Sequence, residues 1–322
     1  RGTKVTITYL RNAATKQAVI TRDAIPLVSV DASYMMTKEI GYIRLNKFSS
    51  VTYREFMEAL EPLKKAGLQK LILDLRGNGG GILDQAVEIA DEFLDGDKLI
   101  TYTEGKHVDK KEYRCRRNGQ FETGKLVVLA DEGSASASEI LIGALQDWDR
   151  ATIVGRRSFG KGLVQEQFDL SDKSALRLTI ARYYTPIGRS IQRPYTNGER
   201  AYYDEVSNRY HDPETTYADS VKNNSGKAYK TKGGKTVYAK GGIAPDYFIA
   251  MDTSGFSKNS AAIYNKSTIS SFAYNFYLQN QALIKTFKSP ADFIKGFSLS
   301  DENWKQFTDA AAKDSINISI VS

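Results

Sequence analysis

The segment 70–81, KLILDLRGNGGG, limits the possible folds of this chain more than any other. Its apolar residues, Leu71, Ile72, Leu73 and Leu75, form a run rather than the alternation of a half-wet strand. Such a strand is buried on both faces, as in parallel sheets covered by helices. The run ends in Gly77, Gly79, Gly80 and Gly81, and a helix pattern, DQAVEIADEFLD (84–95), follows. Buried strand, small-residue turn and helix return at KLVVLADE (125–132) and SASASEILIGALQDW (134–148). Strand–helix–strand order over 41–190 therefore predicts an α/β core with a largely parallel sheet.

Other segments fill in around this core. TKVTITYL (3–10) has strand period, AVITRDAI (18–25) reads as its continuation or partner, and GYIRLNKF (41–48) is a further strand. TYREFMEALEPLKKAGL (52–68) is an amphipathic helix with Phe56, Leu60 and Leu63 on one face, and Pro62 is expected to kink it or end it. ATIVG (151–155) and SALRLTIARYYT (174–185) are strands. Residues 196–238, rich in Lys, Asn, Gly and Tyr, read as long excursions or hairpins. Residues 255–322 carry helix signals, such as Ser300-Asp301-Glu302 before WKQFTDAAAK. Tyr264, Phe272, Tyr274, Phe276 and Tyr277 in that region are expected to pack. No run of about 18 apolar residues is present. The chain begins at Arg1 and reads as a processed or shortened form.

Composition narrows the chemistry. The only histidines are His107 and His211, both in polar stretches, so a Ser–His–Asp triad or a His-rich metal site is poorly served. The single cysteine, Cys115, allows no internal disulfide. Its arginine neighbours would favour a thiolate, but the expected reading is a buried or incidental thiol. The net charge of +7 peaks in KHVDKKEYRCRR (106–117), expected to be a solvated hairpin or loop; no nucleic-acid partner is expected.

Three places hold reactive groups. Ser134, Ser136 and Ser138 lie where an apolar strand meets an apolar helix, at the open end of the sheet, where helix N–H groups favour a developing oxyanion. The local pattern does not choose among them, and an N-cap serine is the plainer reading. Lys161 lies between Gly160 and Gly162, so its backbone can approach another segment closely. A lysine base must be uncharged, which burial favours, and Phe159, Leu163 and Val164 are candidate walls. The turn Gly77–Gly81 exposes backbone N–H groups, but it matches neither G-x-x-x-x-G-K-[ST] nor a full G-x-G-x-x-G.

Taken together, GYIRLNKF, DLRGNGGG, GSASASEILIGALQD, GRRSFGKGLVQ, LTIARYYTPIGRSIQ and GGIAPD resemble, in this order, the C-terminal processing (tail-specific) proteases, over roughly 1–25 and 41–250. The resemblance implies Ser136 as nucleophile, Lys161 as base, Gln165 in support, and the N–H groups of Ala137 and Gly80 as oxyanion donors. It implies a crotonase-like α/β core over 26–250, preceded by the last strands of a truncated PDZ domain over 1–25 and followed by a helical region over 251–322. It also implies an endopeptidase that cleaves proteins near their C-termini through an acyl-enzyme, without cofactor or metal, in the bacterial periplasm or a similar envelope compartment. Its partners would be protein or peptide substrates with accessible C-termini, with a homo-oligomer as the further candidate; no membrane association is encoded in this stretch. Where the family commonly has Asn-Pro-Gly-Gly, this chain has Gly79 in place of proline.

Three rivals stand against that reading. A catalytically silent peptide-binding or scaffold protein shares the fold. Ser158-Phe159-Gly160-Lys161 matches the S-x-x-K of penicillin-recognising enzymes, but Gly160 and Gly162 oppose the helix that motif needs, and K-T-G is absent. An acyl-CoA enzyme of crotonase type would leave Ser136 and Lys161 without a task.

Overall fold

The structure is a computed structural model describing residues 1–11, 14–23, 28–195, 198–209, 226–239, 241–251 and 258–318. It divides into two units, Arg1–Ala250 and Met251–Ser322. The first opens with an antiparallel hairpin, β1 (Lys4–Arg11) and β2 (Ala14–Thr21), which forms a sheet of its own. Next come β3 (Val30–Met35), β4 (Ile40–Leu45), α1 (Thr52–Lys65), β5 (Lys70–Asp74) and α2 (Leu83–Asp91). A second run follows: β6 (Leu99–Glu104), β7 (Lys111–Arg114), β8 (Lys125–Ala130), α3 (Ala137–Asp147) and β9 (Thr152–Gly155). The unit closes with the hairpin β10 (Leu163–Asp169) and β11 (Ala175–Tyr184), the helix α4 (Gly198–Arg209), the hairpin β12 (Lys227–Lys230) and β13 (Thr236–Ala239), and β14 (Tyr247–Phe248).

The central sheet has the order β14-β9-β8-β5-β4-β3 and is parallel except where β3 meets β4. Leu71 and Leu73 of β5 are buried, as the apolar run requires. Helix α1 buries Phe56, Leu60 and Leu63 against the core. Pro62 does not end it: the helix continues to Lys65, because a proline one turn from the C-terminus removes a single ladder bond. Helix α3 is buried at every residue, which explains why ASEILIGALQD shows no polar stripe. Its buried Asp147 meets the guanidinium of Arg189, itself 1% exposed.

A second sheet, ordered β10-β11-β6-β7, is antiparallel, with β10 at its edge. The basic run 106–117 contributes β7, and three of its cations are matched by acids: Lys110 and Arg114 with Glu112, and Arg117 with Glu88 and Glu92.

The second unit contains α5 (Lys258–Asn265), α6 (Thr268–Gln279), α7 (Gln281–Ile284), α8 (Pro290–Gly296) and α9 (Asp301–Lys313). Ser300 caps α9 by accepting from the Asn303 N–H. Phe272 and Phe276, one helical turn apart, pack on Phe307 and Phe297 at 5.2 and 5.7 Å between rings. Tyr264, Tyr274 and Tyr277 are exposed, contrary to the packing expected of them; on α6, Tyr274 and Tyr277 lie off the Phe272–Phe276 stripe.

Candidate active site

Three neighbouring parallel strands deliver the candidate residues. β5 and β8 pair from Lys70↔Lys125 to Asp74↔Leu129, and β8 pairs with β9 up to Ala130↔Gly155. Their C-terminal ends therefore emerge side by side, where ligands bind in open α/β sheets. β5 leads into the glycine turn, β8 into the serine turn, and β9 into the loop 156–162 that carries Lys161.

The first two turns are tied together by their own polar groups. The Asp131 carboxylate accepts from the N–H of Gly77 (2.8 Å) and of Gly133 (3.0 Å). The Ser134 hydroxyl donates to the Leu75 carbonyl at 2.8 Å, and the Ser138 hydroxyl to the Asn78 carbonyl at 2.9 Å. Both serines are fully buried. Ser136 differs: it is half-buried, and its side chain lines a cleft of about 580 Å³. Its backbone sits at φ 57° and ψ −114°, a conformation rare for a residue with a Cβ and costing on the order of 1–3 kcal/mol. It caps α3, so the Ala137 N–H is among the first, intrahelically unpaired donors of that helix.

The Lys161 side chain lines the same cleft, with Leu163, Val164 and Gln165. Phe159 is not a wall of it; its ring packs against the guanidinium of Arg193 and the ring of Tyr202. Among the described residues no hydrogen bond joins the Lys161 amine to the Ser136 hydroxyl. Gly80 is pressed against the nucleophile turn: a Cβ there would stand 2.4 Å from the Ala135 carbonyl oxygen and 2.8 Å from the Ser136 Cβ. Its N–H, expected to serve an oxyanion, instead donates to Asn78 Oδ1 at 2.9 Å, because Asn78 is held in place by its own bond to the Leu45 carbonyl.

Two further residues join the turns. Glu139, fully buried one turn into α3, accepts from the N–H of Ser136 (2.9 Å), Gly160 (2.7 Å) and Lys161 (2.9 Å) and from the Ser158 hydroxyl (2.5 Å). Burial pushes its carboxyl above the ordinary glutamate range, against the pull of these four donors. Ser158 is thereby engaged in a structural bond, and the loop it occupies is not helical, so S-x-x-K has no geometric basis here. Tyr183 of β11 places its hydroxyl on the Ser136 carbonyl (3.0 Å) and on the Lys161 carbonyl. Burial, with Glu139 nearby, holds its phenol well above the ordinary value, so it stays protonated and donates. The signal for Glu139 was its offset of three from Ser136, the capping-box spacing.

The remaining candidates fall elsewhere. Burial, with the Asp91 carboxylate beside it, pushes the Cys115 thiol up to about 12, so its arginine neighbours do not activate it. His211 lies outside the described residues. No cluster of three or more metal-ligating side chains occurs among the described residues, and no described helix is long and apolar enough to cross a membrane.

Comparison with known proteins gives this geometry a context. Residues 39–198 match the model of peptidase family S41. The chain is 41% identical over 197 residues to a carboxy-terminal-processing protease of Bartonella bacilliformis, an alignment covering 59% of this chain and 45% of that one. It is 40% identical over 200 residues to a carboxyl-terminal-processing protease of Synechocystis, covering 60% and 46%. It thus spans less than half the length of these curated relatives. Among solved structures it resembles a photosystem II D1 C-terminal processing protease, with a TM-score of 0.51 and 27% identity over 77% of this chain and 56% of that one.

Proposed function

Because residues 39–198 belong to peptidase family S41, we propose that this chain hydrolyses peptide bonds near the C-termini of proteins, with Ser136 as nucleophile and Lys161 as general base. One observation carries the assignment. Of the three hydroxyls in SASAS, those of Ser134 and Ser138 are committed to buried carbonyls, while Ser136 lines a cleft shared with Lys161.

In the proposed reaction the uncharged Lys161 amine swings to the Ser136 hydroxyl and takes its proton as Oγ attacks the scissile carbonyl carbon. The Ala137 N–H, at the positive end of α3, receives the developing oxyanion. The Gly80 N–H joins it once it leaves Asn78 Oδ1. The Lys161 ammonium then protonates the departing amine. A water, deprotonated by the same lysine, releases the acyl group from Ser136. Gln165, in the cleft beside Lys161, orients the amine. Glu139 and Tyr183 hold the backbones of Ser136 and Lys161 in mutual register.

The same proposal assigns a crotonase-type core, reads the β1–β2 hairpin as the end of a PDZ domain, and locates the protein in the bacterial envelope. The relatives named above come from bacteria. The test is replacement of each member of the dyad. Ser136→Ala and Lys161→Ala are expected to remove peptide hydrolysis while the circular dichroism spectrum stays that of the parent. A fluorophosphonate should label Ser136 and no other serine. Turnover surviving in either variant rules the dyad out.

A further inference from the structure

The cleft beside Ser136 has a one-signed charge. Its floor is apolar, with Ile82, Leu83 and Ile140, and among its described lining residues the only charged side chains are Lys161 and Arg177; no carboxylate lines it. The proposed reaction needs Lys161 uncharged, which leaves Arg177 as the lasting positive charge. Arg177 stands on β11 directly opposite Gln167 of β10, and its Nη2 donates to Gln167 Oε1 at 3.2 Å.

The hairpin that carries this pair is two-faced. Its register puts Gln165 with Thr179 and Gln167 with Arg177 on one side, and Glu166 with Leu178 and Phe168 with Leu176 on the other. Gln165, Gln167 and Arg177 all line the cleft, so the polar side faces it and Glu166 is directed away. β10 is also the edge of its sheet, with one side of its main chain free to pair with an extended peptide.

We propose that Arg177, steadied by Gln167, binds the free α-carboxylate of the polypeptide being cut. A planar guanidinium with its fork of donors suits a carboxylate, and the last carboxylate of a chain is the one anion every substrate of this kind carries. The site also sets a length. Gln167 lies four residues along β10 from Leu163, which adjoins the Lys161–Gly162 turn, or about 13 Å of strand. The tail released is therefore expected to be short and of nearly constant length, set by the distance from Ser136 to Arg177. This inference rests on the peptidase reading for its substrate, but not for its binding site.

Binding to the full chain carrying Ser136→Ala separates the two. Three fluorescent peptides of one apolar sequence are compared: one with a free C-terminal carboxylate, one with a C-terminal amide, and one amide with a glutamate at the penultimate position. The free carboxylate is expected to bind about tenfold to a hundredfold tighter than the plain amide. Arg177→Gln should bring it down to the amide's affinity and leave the amide unchanged, while Arg177→Lys keeps part of the difference. Equal affinity of free carboxylate and amide, equal loss for both in Arg177→Gln, no measurable binding of the free carboxylate, or a glutamate amide that binds as well as the free carboxylate each overturns the inference. With the parent chain, mass spectrometry should find released tails of one narrow length range; cuts scattered without regard to the end overturn the length rule. If the parent cuts nothing while Ser136→Ala still prefers the free carboxylate, the peptidase reading falls and the carboxylate site stands.

Discussion

Ser134, Ser136 and Ser138 look alike in the sequence, but the protein uses them in different ways. The outer two donate into buried carbonyls and hold the glycine turn against the serine turn. Ser134→Ala and Ser138→Ala should each cost about 0.5–1.5 kcal/mol in urea unfolding, the net contribution of one hydrogen bond, since the Leu75 carbonyl keeps the Asn78 N–H and the Asn78 carbonyl keeps the Ala135 N–H. Both variants should keep the fluorophosphonate labelling that Ser136→Ala abolishes. A silent labelling experiment in either, with the fold intact, would move the nucleophile away from Ser136. Glu139 shows the same economy: one carboxylate bonds the backbone of the candidate nucleophile and the backbone of the candidate base.

At the scale of elements, α4 reaches back to the lysine loop. Arg209 donates to the carbonyls of Ser158 (2.8 Å) and Phe159 (3.3 Å), and Glu205 gathers Arg157, Arg193 and Arg209. Although burial pushes the Glu205 carboxyl up, bonds from Arg209 and Arg193 and the charge of Arg157 bring it down to about 2. A folded-state pKa below the ordinary glutamate value means stabilisation that is full above about pH 4.5 and fades as pH falls toward 2. Thermal melts of the parent between pH 5 and about pH 2 should show that loss, and Glu205→Gln should flatten it. An unchanged pH slope in the variant would show that the carboxylate does not couple α4 to the loop.

For the whole molecule, the apolar core beneath the sheet decides what reagents can reach. Cys115 belongs to that core at 5% exposure, with its thiol pushed up to about 12. At pH 8 it should resist a thiol reagent in the native state and react at the rate of unfolding when denaturant is added. Fast labelling of the native protein would place the residue at the surface and break the assignment of β7 and its neighbours.

Much was legible before the structure. The apolar runs of β5 and β8 and the small-residue turns after them gave the α/β class, since only a sheet covered on both faces hides such strands from water. Ordered motifs pointed to Ser136 and Lys161. Pro62 does not end α1, because a late proline removes one bond, not a helix. β10 went unseen because LVQEQFD is exposed along most of its length and shows no clean alternation of core and solvent faces. The sequence alone determined which residue types stand at each strand end, through hydrophobic periodicity, a local property. Only the tertiary structure decided which of them meet. The parallel order β9-β8-β5 brings turns far apart in the chain to one cleft, ties Gly80's amide to Asn78, and gives one glutamate to both halves of the proposed dyad. Partner choice of that kind depends on contacts across the fold, which no local pattern encodes.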